Sequence, residues 1–198
     1  MSRTSTRLAA IATTVVIATT GLTVSAVADA AAATAPTGSA VVNESNSFLL
    51  SSLSAGVLVF ALPNATGSYD STKGLSASFP VTGGSANLPG FYGNVQLGGG
   101  LLFVNLRTGK SAVFKNLAFR IDTWQVTGVL EGTSAPVALL DPAGDTVVTG
   151  TQADGKLESS DLQVDDEGAK FLDSKLNTTF FQAGQSVGSF SFSFKAGS

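Results

Sequence analysis

Gly184-Gln185-Ser186-Val187-Gly188 matches the GxSxG pattern of a serine-hydrolase nucleophile elbow, in which a strained turn lifts a serine hydroxyl toward a base. That chemistry needs a strand before the serine, a helix after it, and a histidine to accept the proton. Here a helical pattern precedes the motif, a strand pattern follows it, and the 198-residue chain contains no histidine. A glycine-rich turn is the reading that remains. Cysteine is also absent, which removes thiolate nucleophiles, cysteine metal sites and disulfide staples. No catalytic residue and no metal ligand is assigned.

Carboxylates are the remaining reactive groups. Asp161, Asp165, Asp166 and Glu167 lie close together, but not in the spaced Asp-x-Asp-x-Asp-Gly order that wraps calcium. Acidic residues at the positive end of a helix explain them more simply. Asp70, Asp122, Glu131, Asp141 and Asp145 fall near expected turns. A glycosidase needs two carboxyl groups at a fixed separation, and nothing in the order of these residues selects a pair. A carboxylate-pair polysaccharide hydrolase is therefore a third-ranked reading.

Glycine and tyrosine supply the candidate ligand-binding set: Tyr69, Tyr92, Gly98, Gly99 and Gly100. A run of three glycines lets the backbone take positive φ and approach a neighbour or ligand closely. It is not a phosphate loop, because no GK[ST] ending and no helix follow. Two tyrosines in a β-rich chain are more often packed rings with a hydrogen-bonded tip than metal ligands.

The elements that must position these residues are mostly strands. Apolar alternation between Gly, Asn, Asp and Pro signals predicts strands at 57–62, 75–81, 91–97, 101–106, 112–123, 125–130 and 135–140, with Thr108-Gly109 as a hairpin turn. The plainest is the last, where Phe190, Phe192 and Phe194 alternate with Ser189, Ser191 and Ser193. Helices are expected at 44–53, with Phe48, Leu49 and Leu53 on one side and Gly56 as the stop, and after Asp165, with Ala169, Leu172 and Leu176 at helical spacing. Residues 48–62 and 171–194 both run helix, glycine-containing loop, strand. This pattern predicts an all-β fold, an antiparallel β-sandwich or flattened barrel with two short helices.

Compartment follows from the first thirty residues. Arg3 and Arg7 precede the weakly apolar run 8–24, and small residues follow at Ala26-Val27-Ala28 and Ala28-Asp29-Ala30. That order is a secretory signal peptide, with cleavage expected after Ala28 or Ala30. Residues 31–42 read as a flexible Ala/Thr/Pro/Gly/Ser leader, and 43–198 as a single β-rich domain. Removing residues 1–30 takes Arg3, Arg7 and Asp29 and leaves a net charge of about -4. Scattered basic residues do not suit nucleic acid, and no second long apolar segment predicts a membrane span in the mature chain.

Several segments resemble a family. Phe79-Pro80-Val81-Thr82-Gly83-Gly84, the segment Gly93-x-Val95-x-x-x-Gly99-Gly100-Leu101-x-Phe103, the strand Leu117-x-Phe119-x-Ile121-Asp122-Thr123, and the ending 169–188 resemble secreted actinobacterial proteins of unassigned function. Those are distantly similar to the HtaA domain of haem-capturing envelope proteins. The likeness covers residues 48–194 and implies a sandwich-like all-β fold with an extracellular or cell-wall-associated binding role. It also implies a departure, since both groups usually carry a histidine just before the paired glycines and Leu97 stands there in this chain. In haem-binding HtaA domains a tyrosine ligates iron and a histidine supports it.

The expected function is a secreted, non-enzymatic binding or structural module of the cell envelope, with a cell-wall polymer, another extracellular polymer or a small ligand as partner and no cofactor. The alternative is a haem-binding HtaA-like module.

Overall fold

The three phenylalanines of the last strand are buried to within a few per cent and set the inside of a β-barrel. Phe119 packs between Phe190 and Phe192, with ring centroids 5.3 and 4.9 Å away. Each such ring withdrawn from water contributes roughly 1.5–3 kcal/mol. The structure is a computed structural model that describes residues 34–70 and 74–198. The expected signal peptide and residues 31–33 of the expected leader lie outside the described residues.

Along the chain the elements are β1 (Thr37–Glu44), α1 (Asn46–Ala55), β2 (Val57–Ala61), β3 (Thr66–Asp70), β4 (Gly74–Asn87), β5 (Tyr92–Leu97), β6 (Leu101–Asn105), β7 (Lys110–Arg120), β8 (Gln125–Leu130), β9 (Pro136–Gly150), β10 (Asp154–Val164), α2 (Asp166–Leu176) and β11 (Ser186–Lys195). Eight of the strands close on themselves in the order β7-β5-β4-β1-β11-β10-β9-β8, with β8 returning to β7. Every pairing is antiparallel. Of the two architectures expected, the barrel is the one found. β6 and then β2 extend from β7, and β3 pairs with β4.

The structure corrects the leader. Residues 37–42 belong to β1, a central strand paired with β11 on one side and β4 on the other. Its inward residues, Ala40 and Val42, are small because the Phe79 and Phe192 rings flank Ala40 in register. The β-rich unit thus starts before residue 43, and one unit spans 33–198. Strands β3 and β10 were not expected, and β9 continues well past residue 140.

The expected stop Gly56 and the expected cap Asp165 are found, while α1 starts at Asn46 behind an unexpected cap, Ser45, because Glu44 ends β1. Ser45 accepts from the Phe48 amide and Gly56 ends α1 in the left-handed conformation. The buried side of α1 differs from expectation: Phe48 and Ser52 face in, while Leu50 and Leu53 stay exposed. Asp165 accepts from the Glu167 and Gly168 amides at the start of α2, and Ala169, Leu172 and Leu176 are buried. Phe171 of α2 meets Phe114 edge-on at 5.9 Å, which packs the helix against the barrel. Helix-loop-strand order recurs at α1-β2 and α2-β11, but β2 is an edge strand and β11 is part of the closed wall.

Candidate functional site

The site begins where the barrel wall divides. β5 pairs with residues 81–87 of β4 and 118–120 of β7. Farther along, the same flank of β4 carries β3 at residues 74–78, and the same flank of β7 carries β6 at 110–114. β2 and β3 run antiparallel from a short connection but pair with β6 and β4, not with each other. Their facing edges splay apart and leave a slot into the barrel.

Gly98, Gly99 and Gly100 form the vertex of that slot. The Leu62 amide donates to the Gly100 carbonyl at 2.9 Å, and the Gly98 amide donates to the Pro80 carbonyl at 2.7 Å. Gly99 has φ +89°, and a Cβ on it would meet Ala65 at 2.8 Å. A side chain here would push the β2-β3 connection off the vertex. The glycines therefore shape the slot, and Leu97 and Leu101 on either side of them reach the space within.

That space is a cavity of about 540 Å³. Leu97, Leu101, Phe103, Leu117, Leu139 and Phe190 line its apolar interior. Phe60 on β2 and Tyr69 on β3 flank the opening and are 48% and 68% exposed. Polar groups are few. Ser68 and Ser76 hydroxyls bond each other at 2.7 Å, and Glu44 is the one charged side chain among the described residues of the lining. Burial holds the Glu44 carboxyl above its usual range, and it has no hydrogen-bond or ion-pair partner among the described residues.

Of the five candidate residues, Tyr69 alone lines the cavity; Gly98, Gly99 and Gly100 pack against the β2-β3 connection and Pro80 beside it. Tyr92 stands apart: it opens β5 at the other end of β4, beside the exposed Phe91, and lines no part of the cavity. The sequence pattern places Glu44 at the start of a helix, whereas the structure ends β1 with it and turns it to the lining. The alternation of Ala40, Val42 and Glu44 on β1 was the signal that points it inward.

The other reactive groups are absorbed by the fold. Ser186 begins β11 and bonds the Asp161 carboxylate, which also accepts from Gln163. Asp166 pairs with Lys170, and Glu167 accepts from the Ala138 amide at 3.3 Å. Among the described residues no cluster of three or more metal-ligating side chains forms. The structure does bring two carboxyl groups together: Asp141 is pushed up to about 7, first by burial and then by the charge of Asp165 and a hydrogen bond with it. Neither of the pair lines the cavity.

No family model matches this chain, and no curated protein matches it. The chain is similar in fold to the C-terminal domain of HtaA from Corynebacterium glutamicum, with a TM-score of 0.55 and 11% identity over 84% of this chain and 99% of that one. The fold resemblance expected from the sequence is present, as a distant similarity.

Proposed function

We propose that this chain is a non-enzymatic binding module that works outside the cell membrane and takes an apolar small molecule into its barrel through the slot between β2 and β3. The observation that carries the reading is the cavity: about 540 Å³ with an apolar lining and few polar groups. Ligand pockets usually measure roughly 300–1,000 Å³ and combine an apolar lining with a few fixed polar groups. An enclosed floor suits a small molecule better than a cell-wall polymer, which needs an open groove. The order of residues 1–30 supports an extracellular role. The likeness to an HtaA domain is consistent with it, and among the described residues no helix is long and apolar enough to cross a membrane.

Haem is the ligand that an HtaA-like fold suggests, and the lining residues do not fit it. Tyr69 and Glu44 are the only lining side chains among the described residues able to ligate iron, and no hydrogen bond from those residues holds the Tyr69 phenol. Leu97 lines the cavity and the chain contains no histidine, so a tyrosine ligand has no histidine behind it. Among the described residues no lysine or arginine lines the cavity to receive carboxylates. Adding hemin is expected to give no Soret shift that depends on Tyr69; a shift abolished by Tyr69→Phe restores the haem reading.

The test uses N-phenyl-1-naphthylamine, a neutral apolar fluorophore. Saturable enhancement at one site per chain is expected, with at least tenfold weaker binding after Ala77→Trp, which fills the cavity from β4. No saturable binding, or binding unchanged in a folded Ala77→Trp variant, ends the proposal.

A further inference from the structure

The lining of the cavity is unequal in charge. Among the described residues that line it Glu44 is anionic, Tyr69, Ser68 and Ser76 are neutral and polar, and none is cationic. The two serines satisfy each other. Glu44 and Tyr69 are left with their polar atoms unengaged among the described residues.

Register puts these two side chains at the same level of the wall. Asn43 of β1 pairs with Ser76 of β4, so the next residues along, Glu44 and Leu75, are neighbours across the strands. Leu75 pairs in turn with Tyr69 of β3. Glu44, Leu75 and Tyr69 thus form one inward row over three strands, and all three line the cavity. Adjacent strands lie about 4.8 Å apart, which sets the Glu44 and Tyr69 backbones roughly 10 Å from each other. The Glu44 carboxylate and the Tyr69 ring stand on either side of Leu75 in this row, so an ammonium that meets both lies over the Leu75 side chain.

The chemistry of such a row is specific. A half-buried carboxylate without a partner among the described residues loses hydration that none of them replaces, so a cation beside it gains more than in water. A tyrosine face attracts an alkylammonium by its ring quadrupole. A carboxylate head group in the same place meets Glu44, with no basic residue among the described lining residues to balance the repulsion.

We infer that the cavity selects amphiphiles with a cationic amine head, the ammonium held between the Glu44 carboxylate and the Tyr69 ring and the apolar tail within the barrel. This rests on the apolar-binding reading of the cavity and names the ligand class for it.

Competition against bound N-phenyl-1-naphthylamine at pH 7 separates the two. Dodecylamine, dodecanol and dodecanoate share one tail and differ in the head, and each is used below its aggregation concentration. Dodecylamine is expected to compete at least tenfold better than dodecanol, and dodecanoate worse than dodecanol. Glu44→Gln is expected to bring the amine to within twofold of the alcohol and leave the alcohol unchanged. Tyr69→Ala is expected to weaken the amine several-fold more than the alcohol, and Tyr69→Phe to keep most of the preference. Glu158→Gln, an exposed carboxyl on β10 away from the cavity, controls for general attraction to an acidic protein and is expected to change nothing. Equal competition by amine and alcohol, a preference that survives Glu44→Gln, or one lost in Glu158→Gln overturns the inference while the apolar-binding reading stands. If the fluorophore itself does not bind, both fall.

Discussion

Replacing Asp141 by asparagine should raise stability at pH 8 and leave it unchanged at pH 4. Asp141 lies on β9 with Oδ1 buried and unpartnered, against the carboxyl of Asp165. Its folded pKa is raised from 3.8 to about 7. A raised carboxyl contributes stability that is fully present below its unfolded pKa and lost as pH rises through the folded value. The window for this protein is therefore about pH 4 to pH 8. A shift of about three units corresponds to ~4 kcal/mol at about 1.4 kcal/mol each. Asp141 keeps part of its surface in water, and screening of the Asp165 charge reduces the figure to about 2 kcal/mol. For a domain of this size that is a melting-temperature difference of about 4–8 °C. The structural route runs through α2, because Asp165 caps that helix and an ionised Asp141 repels it from the Glu167 and Gly168 amides. The substituted carboxamide keeps a donor toward Asp165 and cannot ionise. Glu44 and Asp173 are also raised by burial, but they titrate alike in both proteins and cancel in the comparison. Thermal melts of both proteins from pH 4 to pH 8 make the test. Parallel curves, with no growing gap above pH 6, refute the reasoning.

Gly99→Ala forces a side chain into left-handed backbone at +89° and against Ala65, so it should cost about 1–2 kcal/mol in urea unfolding and weaken fluorophore binding by moving the vertex. A loss of stability without loss of binding separates the vertex from the cavity. Ser45→Ala removes the cap that the Phe48 amide uses and should cost about 1 kcal/mol in the same assay, with Ser45→Asp restoring it. Equal stability of Ser45→Ala and the parent contradicts the cap.

Much of the fold was legible because side-chain pattern and local geometry agree. The Phe-Ser alternation of β11 states its own inward face, and Asp165 followed by Asp166 and Glu167 is a helix start whatever surrounds it. What was missed lacks that agreement. β1 carries Gly38, Ser39 and Ala40, whose small size makes sense only once Phe79 and Phe192 are seen on either side. β3 is exposed along its whole length, with no apolar face to read. β10 breaks its own alternation at a bulge between Ser159 and Leu162. β9 runs through Pro142 and Gly144, residues that signal a turn, at the register shift opposite Ser159 and Asp161.

The site was legible only in part for a different reason. Tyr69 and the glycine run are unusual residues and draw notice. Leu97, Leu101, Leu117 and Leu139 look like core in any sequence, since a side chain facing a cavity and one facing a neighbour share the same alternation. Only the pairing of β2 with β6 and of β3 with β4, instead of with each other, turns them into a lining, and that depends on partners far away in the chain.

The central claim is that an apolar molecule enters the barrel instead of resting on its surface, and methyl-detected NMR with N-phenyl-1-naphthylamine tests it most directly. Intermolecular contacts are predicted to the methyl groups of Leu97, Leu101, Leu117 and Leu139. Contacts confined to the exposed Leu50, Leu53 and Leu106, with the interior methyls silent, contradict it.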